Sequence, residues 1–367
     1  MAKKSSSTTV KVVTTILCIL FLALGLLAGA GGYLYIHQFK SDTFVSGEIE
    51  FHFLELGNKY TGDCIYVRCG DTDILIDAGS RENSAPTITS YIDQYVDDNT
   101  LEYVIVTHAH QDHIAAFCDT ANTQGIFSYY NVETIIDFPR TESTSRIYRE
   151  YVELRDKEVA EGATHYTALQ CYKEEDGAKR VYQISENVEM EILYNYYYEN
   201  DASEENDYSV CVMFNQGDNH YLFTGDLEEG GEERLVDYYN DIGDPLPHCV
   251  LYKAGHHGSY TSSSSYLMDV IQPEYVVVCC CAGTDEYGAS PENKMPAQEF
   301  INNVAKWTDR IYVTTLCVDY SAGVYQSMNG NVVFKVENGE PKVECSNNNT
   351  ILKDTDWFKA NRTWPST

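Results

Sequence analysis

The chain has 367 residues, 43% of them hydrophobic, with 56 acidic against 25 basic side chains and a formal net charge of -31. That length is enough to bury a sizeable core. The charge argues against non-specific binding of nucleic acid, whose phosphates are gripped by lysine and arginine; it does not exclude a small basic groove, and it suits a cationic ligand or plain solubility.

Residues 12–36, VVTTILCILFLALGLLAGAGGYLYI, carry no charge. As a helix they would rise roughly 37 Å, enough to span a bilayer with some tilt. Lys3, Lys4 and Lys11 precede the run. The positive-inside rule therefore predicts a cytoplasmic N-terminus (1–11), a single-pass anchor (12–36) in the cell membrane and an extracellular remainder. A cleaved signal peptide is the alternative, since AGAGG offers small residues; the run is longer than a usual signal core, which favours an uncleaved anchor. Residues 37–48 read as a polar linker, 49–345 as the folded domain and 346–367 as a polar tail.

In chain order the domain alternates strand-like and helical runs. IEFHFLEL, CIYVRCG and DTDILIDAG read as strands, with a hairpin at Gly70-Asp71 and a tight turn at residues 77–79. Residues 84–97 carry a serine cap and a proline ahead of helical spacing. YVIVTHAH and VETIIDF follow as strands, then a helix over 143–161 with Ile147, Tyr151, Leu154 and Val159 near one face. VEMEILYNY, YSVCVMF and HYLFTGD are strands, the last two joined by a turn at QGDNH; EEGGEERLVDYY is a helix. HCVLYKAG, EYVVVCCC, RIYVTT and NVVFKVEN complete the strands. The pattern predicts an α/β fold with two facing sheets. Thirty tyrosines fit half-buried rings in β structure. The twelve cysteines include no CxxC pair, and Cys279, Cys280 and Cys281 read as small apolar residues of a buried strand.

One stretch carries chemistry. VIVTHAHQDH places His108, His110, Asp112 and His113 at the end of an apolar run, three of the ten histidines within six positions. On extended chain His108 and His110 point the same way and can serve one ion. Asp112 and His113, past the turn, can reach a second. Imidazole with carboxylate suits zinc, manganese or iron.

THAHQDH fits HxHxDH, the signature of the metallo-β-lactamase fold superfamily. YLFTGD supplies the further aspartate of that pattern, Asp226, and KAGHHGS the late histidines His256 and His257. With ENDYS at 205–209 and the opening GDCIYVRCGDTDILIDAG, the chain from about residue 50 to 337 resembles the lactamase-like domain of ComEC-type competence proteins. The resemblance implies a four-layer αββα sandwich and two divalent cations, zinc first and manganese as the alternative. One would take His108, His110 and Asp226. The other would take Asp112, His113, Asp226 and His257, because this ligand often directly precedes a glycine in the family; His256 would face the substrate.

The sequence also departs from the family. Many members carry a third histidine where Asn206 and Ser209 stand, and DHIAA replaces the usual glycine pair after the motif. ENKMP at 292–296 lacks the histidine of the corresponding element, and His165 comes too early to substitute, so it reads as a structural or surface residue.

The implied activity is extracellular hydrolysis of a phosphodiester by a water activated between the metals. Asp112 would orient that water, and His256 would protonate the leaving oxygen. Asn206, Ser209 and Lys253 are the substrate-binding candidates. The acidic balance favours a small-molecule or cell-wall-linked ester over long DNA, and a cationic group such as choline would suit the acids and tyrosines. A lactonase, thioesterase or β-lactamase-type hydrolase is the alternative enzyme. A metal-stabilised binding domain is the non-catalytic one, disfavoured because HxHxDH and Asp226 are both intact. No signal for an oligomeric state is present.

Overall fold

The computed structural model describes residues 49–337 and 340–366. The expected anchor and the whole of the linker lie outside them. Among the described residues no helix is long and apolar enough to cross a membrane.

Sixteen strands, numbered in chain order, form two eight-stranded sheets. The first contains β1 (Ile49–Phe53), β2 (Ile65–Cys69), β3 (Thr72–Ile76), β4 (Thr100–Ile105), β5 (Asn131–Asp137), β6 (Thr164–Thr167), β15 (Val332–Glu337) and β16 (Glu340–Cys345). Its order is β16-β15-β1-β2-β3-β4-β5-β6. The second contains β7 (Val181–Gln183), β8 (Glu189–Ile192), β9 (Val212–Gln216), β10 (Asn219–Phe223), β11 (Leu251–Lys253), β12 (Tyr275–Ala282), β13 (Ile311–Asp319) and β14 (Val324–Ser327). Its order is β14-β13-β12-β11-β10-β9-β8-β7. β3 to β6 run parallel, as do β10 to β13, and the remaining pairs are antiparallel.

The sheets face each other through aromatic side chains. Phe51 of β1 lies 5.3 Å from Phe214 and 4.8 Å from Tyr221 of the second sheet, centroid to centroid. β12 shows why its sequence is apolar throughout. Val277 and Cys279 join the core shared with the first sheet, while Val276, Val278 and Cys280 join a second core beneath the helices Glu229–Asp241, Ser265–Ile271 and Gln298–Val304. A strand covered on both faces reads as a continuous hydrophobic run. Cys279, Cys280 and Cys281 are buried thiols.

The helix Arg146–Glu161 covers the first sheet, its N-terminus capped by Ser145, whose Oγ accepts from the Tyr148 amide at 3.0 Å. Ile147 and Tyr151 face inward, but Glu158 continues that face and Val159 is 39% exposed. Position 158 keeps the helical period from 147 and 151; 159 is rotated off it.

The four strands absent from the sequence reading, β6, β7, β14 and β16, are the four sheet edges. They are short and polar, as unpaired edges tend to be, so they carry little hydrophobic period. The expected polar tail is a correction. Residues 346–366 belong to the same compact unit, with Leu352 and Phe358 buried in the second core and a short helix at Asp356–Asn361.

Candidate metal centre

The parallel strands bring their C-terminal ends to one edge of the sandwich. β4 leads into Thr107 and His108. His110 keeps extended dihedrals (φ -71°, ψ 149°) and starts the single turn Gln111–Ile114, which turns Asp112 and His113 inward. That turn presses against the loop after β3. A Cβ on Gly79 would stand 1.6 Å from the Asp112 carbonyl oxygen, so only glycine fits there. Asp226 follows β10, and His256 and His257 follow β11.

These side chains converge on one atom. Asp226 Oδ2 lies 3.1 Å from His113 Nε2, 3.3 Å from His257 Nε2, 3.9 Å from His256 Nε2 and 4.0 Å from His108 Nε2. Asp112 Oδ2 is 3.5 Å from His257 Nε2, and His110 Nδ1 is 3.0 Å from His108 Nε2. Asp226 Oδ1 and His257 Nε2 are buried without any hydrogen bond. Buried polar atoms without partners are costly unless something is meant to bind them. Imidazoles with carboxylates form a donor set for divalent zinc or manganese, so the residues present fit the expected cations.

A second set of side chains braces the first. Asp77 accepts from the Thr107 amide (2.8 Å), the Thr107 hydroxyl (2.7 Å) and His113 Nδ1 (2.8 Å), which leaves Nε2 of His113 aimed at Asp226. His257 Nδ1 donates to the Cys279 carbonyl at 3.0 Å and lies 3.0 Å from Asp63 Oδ1. Asp63 is close enough to His113, Asp226 and His257 to be a ligand itself. It meets both imidazoles on their Nδ1 side, however, away from the convergence point. Its role is to orient, and outer carboxylates of this kind fix the tautomer of ligating histidines.

Charge follows the geometry. Burial would lower His113, but the Asp226 and Asp77 carboxylates outweigh it and hold the metal-free imidazole up at about 10. His257 moves the same way, with Asp226 and Asp63 overcoming burial. Burial and the neighbouring imidazoles keep His108 neutral. Asp226 and Asp112 stay ionised, because the histidines around them overcome the effect of burial.

The turn carrying the late histidines is strained. His256 (φ 44°, ψ 49°) and His257 (φ 55°, ψ 23°) are consecutive non-glycine residues in the left-handed region. Each such residue costs about 1–3 kcal/mol, and such strain gathers at functional sites. The result is that the two rings part. His257 is fully buried, its Nε2 turned toward Asp226 and Asp112. His256 faces a cleft of about 470 Å³ lined also by Glu204, Asn206, Glu228, Tyr260 and Tyr287. His256 Nδ1 is held 2.9 Å from Thr261 Oγ1 and 3.5 Å from Glu228 Oε1.

Two of the three expected substrate contacts are corrected. Lys253 is 1% exposed and paired with Asp63, with Asp226 Oδ1 at 3.9 Å, so it neutralises carboxylates beneath the site and cannot reach a substrate. Ser209 is also buried: its Oγ accepts from the Asp226 amide at 3.0 Å and lies 3.5 Å from His108 Nδ1. Asn206 does line the cleft, donating to Glu228 Oε1 at 2.9 Å. His165 stands apart, bound to Asp137 at 2.8 Å together with Arg155 and Tyr151. Asp63, Asp77 and Tyr287, whose hydroxyl donates to Asp112 Oδ2 at 2.7 Å, were not among the expected site residues.

Residues 57–162, which contain the HxHxDH motif, match the sequence profile of the Metallo-beta-lactamase superfamily. A stretch of 74 residues, 20% of this chain and 10% of the other, is 42% identical to "Competence protein ComA" of Neisseria gonorrhoeae. The chain thus matches about a tenth of that protein's length. Among solved structures, the metallo-beta-lactamase fold protein YhfI from Bacillus subtilis is similar over 72% of this chain and 95% of its own, at 10% identity and a TM-score of 0.40. CmlA, a diiron beta-hydroxylase from Streptomyces venezuelae, is similar over 69% of this chain and 47% of its own, at 13% identity and a TM-score of 0.37. The chain therefore matches the metallo-β-lactamase superfamily over residues 57–162, within a two-sheet α/β fold that has a candidate site for divalent metal.

Proposed function

We propose that this chain is a metal-dependent hydrolase of phosphodiesters or closely similar esters, anchored by residues 12–36 with its catalytic domain outside the cell. The observation that carries the hydrolase reading is the convergence of four Nε2 atoms, those of His108, His113, His256 and His257, on Asp226 Oδ2, with Asp112 Oδ2 beside His257 and an open cleft next to them. His108, His110 and Asp226 would hold one cation, and Asp112, His113, Asp226 and His257 the other, zinc or manganese. Bound there, the pair supplies Lewis acidity, which acidifies a water and clamps the oxygens under attack.

The chain's own groups do the rest. Asp112 orients the attacking water. His256, held at Nδ1 by Thr261 and Glu228, lines the cleft with Nε2 3.9 Å from Asp226 Oδ2, and would give its proton to the leaving oxygen. Asn206 and Ser209 stand where many family members have an imidazole, which would leave the His108–His110 side with fewer protein ligands. This supports a substrate that brings charged oxygens of its own. The cleft is small, and its lining includes Glu204 and Glu228 but no lysine or arginine. This supports a small or wall-linked ester, including one with a cationic substituent, over a long polyanion.

The test is turnover of bis(p-nitrophenyl) phosphate by the full chain in detergent, with zinc or manganese and with chelator, beside Asp226→Ala. Chelator-sensitive turnover lost in the variant is the expected result. Turnover confined to a lactone or thioester would replace the phosphodiester reading. No turnover of any ester by the metal-loaded chain would leave a binding domain.

A further inference from the structure

We infer that Tyr287 is a positioning residue for the metal centre, setting how Asp112 presents its carboxylate. This rests on the metal-site reading above. Tyr287 comes from the loop after β12, far along the chain from the HxHxDH motif. Its hydroxyl nevertheless donates to Asp112 Oδ2 at 2.7 Å, across 175 positions of sequence. Asp112 Oδ2 is also the oxygen that faces His257 Nε2, so the phenol acts on the atom turned toward the centre. Tyr287 as a residue is 38% exposed. Packing alone does not explain its position, whereas the hydrogen bond does.

The neighbouring residues hold this phenol in place. Glu286 accepts from Arg81 Nη2 at 2.6 Å and from the Thr61 amide at 2.9 Å. Arg81 in turn lies 3.9 Å from the Tyr60 ring centroid. Asn293 Nδ2 donates to the Tyr287 carbonyl at 3.1 Å, and the loop is closed by the Gly283 amide on the Met295 carbonyl at 2.8 Å. The backbone on both sides of Tyr287 is thereby fixed to two other segments of the chain. A carboxylate ligand with one oxygen engaged by a fixed donor keeps a single orientation, and loss of such an outer partner typically costs 10–100-fold in metal affinity.

The experiment is a metal titration by calorimetry on full-length native protein, Tyr287→Phe, Asp112→Asn and the double variant, using zinc and then manganese. The expected result is that Tyr287→Phe weakens one of two metal equivalents by roughly 10–100-fold and leaves the other unchanged. Adding Tyr287→Phe to Asp112→Asn should produce no further loss, since the phenol acts through that carboxylate. Metal-free melting curves of native and Tyr287→Phe protein should coincide, which separates positioning from a general structural role. A Tyr287→Phe titration that superimposes on the native one overturns the inference while the metal site stands. Native protein that takes up no metal overturns both.

Discussion

Replacing Lys253 with methionine separates a buried charge from a substrate contact. Methionine keeps the length of the side chain and removes the ammonium. Asp63, itself 1% exposed, then loses the cation paired with it, and Asp226 Oδ1 loses the positive charge 3.9 Å away. Removing one partner of a buried ion pair costs about 3–5 kcal/mol. The nearby His257, 3.0 Å from Asp63, compensates in part and points to the lower end of that range. At about 2 °C per kcal/mol for a body of this size, the melting temperature should fall by roughly 6–10 °C.

The acid side should change too. Burial would raise the Asp63 pKa, but Lys253 and His257 hold it below the ordinary carboxylate value. A depressed carboxylate contributes stability that is present above its unfolded pKa and lost as pH falls through its folded pKa. In Lys253→Met that acid-labile share shrinks. Lys253→Met with Asp63→Asn, which removes both charges, should recover most of the loss. The assay is thermal unfolding of metal-free protein by circular dichroism at two pH values. A melting temperature within about 2 °C of native, together with a raised KM for the phosphodiester, would refute the buried-charge argument and return Lys253 to the substrate.

Two further outcomes follow from the bracing of the imidazoles. Asp77→Asn turns an amide toward His113 Nδ1 and the Thr107 donors, so the tautomer of His113 is no longer fixed. Metal affinity should fall about 10–100-fold, read by competition with a chromogenic chelator; unchanged affinity would contradict the role of Asp77. Metal uptake near neutral pH should also release protons. The metal-free fold holds His113 up at about 10 and His257 raised as well, because their carboxylate partners outweigh burial. Protons on these rings stabilise the metal-free fold fully below the unfolded histidine pKa, and that share is lost as pH rises through the folded values. A cation must displace them. Calorimetry in two buffers of different ionisation enthalpy should report about two protons, one from each ring; none released would refute the assignment.

The sequence discloses groups that chemistry places close together along the chain. His108, His110, Asp112 and His113 share one strand end and one turn, and His256 and His257 share another, so spacing alone brings them into view. What spacing cannot supply is the bracing. Asp77 reaches His113 across 36 positions, and Tyr287 reaches Asp112 across 175. One signal was available for Lys253. A charged residue inside the apolar run CVLYKAG must be paired if that run is a buried strand, which argues against a surface lysine. The tail misled for a similar reason. Two apolar side chains, Leu352 and Phe358, anchor it in a segment that is otherwise polar, too few to show a period.

The ligands are divided between the sheets: the HxHxDH residues hang from the first, and Asp226 with the late histidines from the second. His113 and Asp226 are 113 positions apart. During synthesis, a nascent chain therefore displays half of the centre long before the other half has left the ribosome. Even then the sandwich lacks β15, whose Phe334 packs 6.5 Å from Phe51 of the opening strand. No half-made chain presents the whole candidate ligand set, so a cation bound there would enter only after the second sheet has been made. Affinity alone ranks the first-row metals in a fixed order that takes no account of need. An ion carried by the mature protein would thus report the metal pool of the compartment in which the two sheets close.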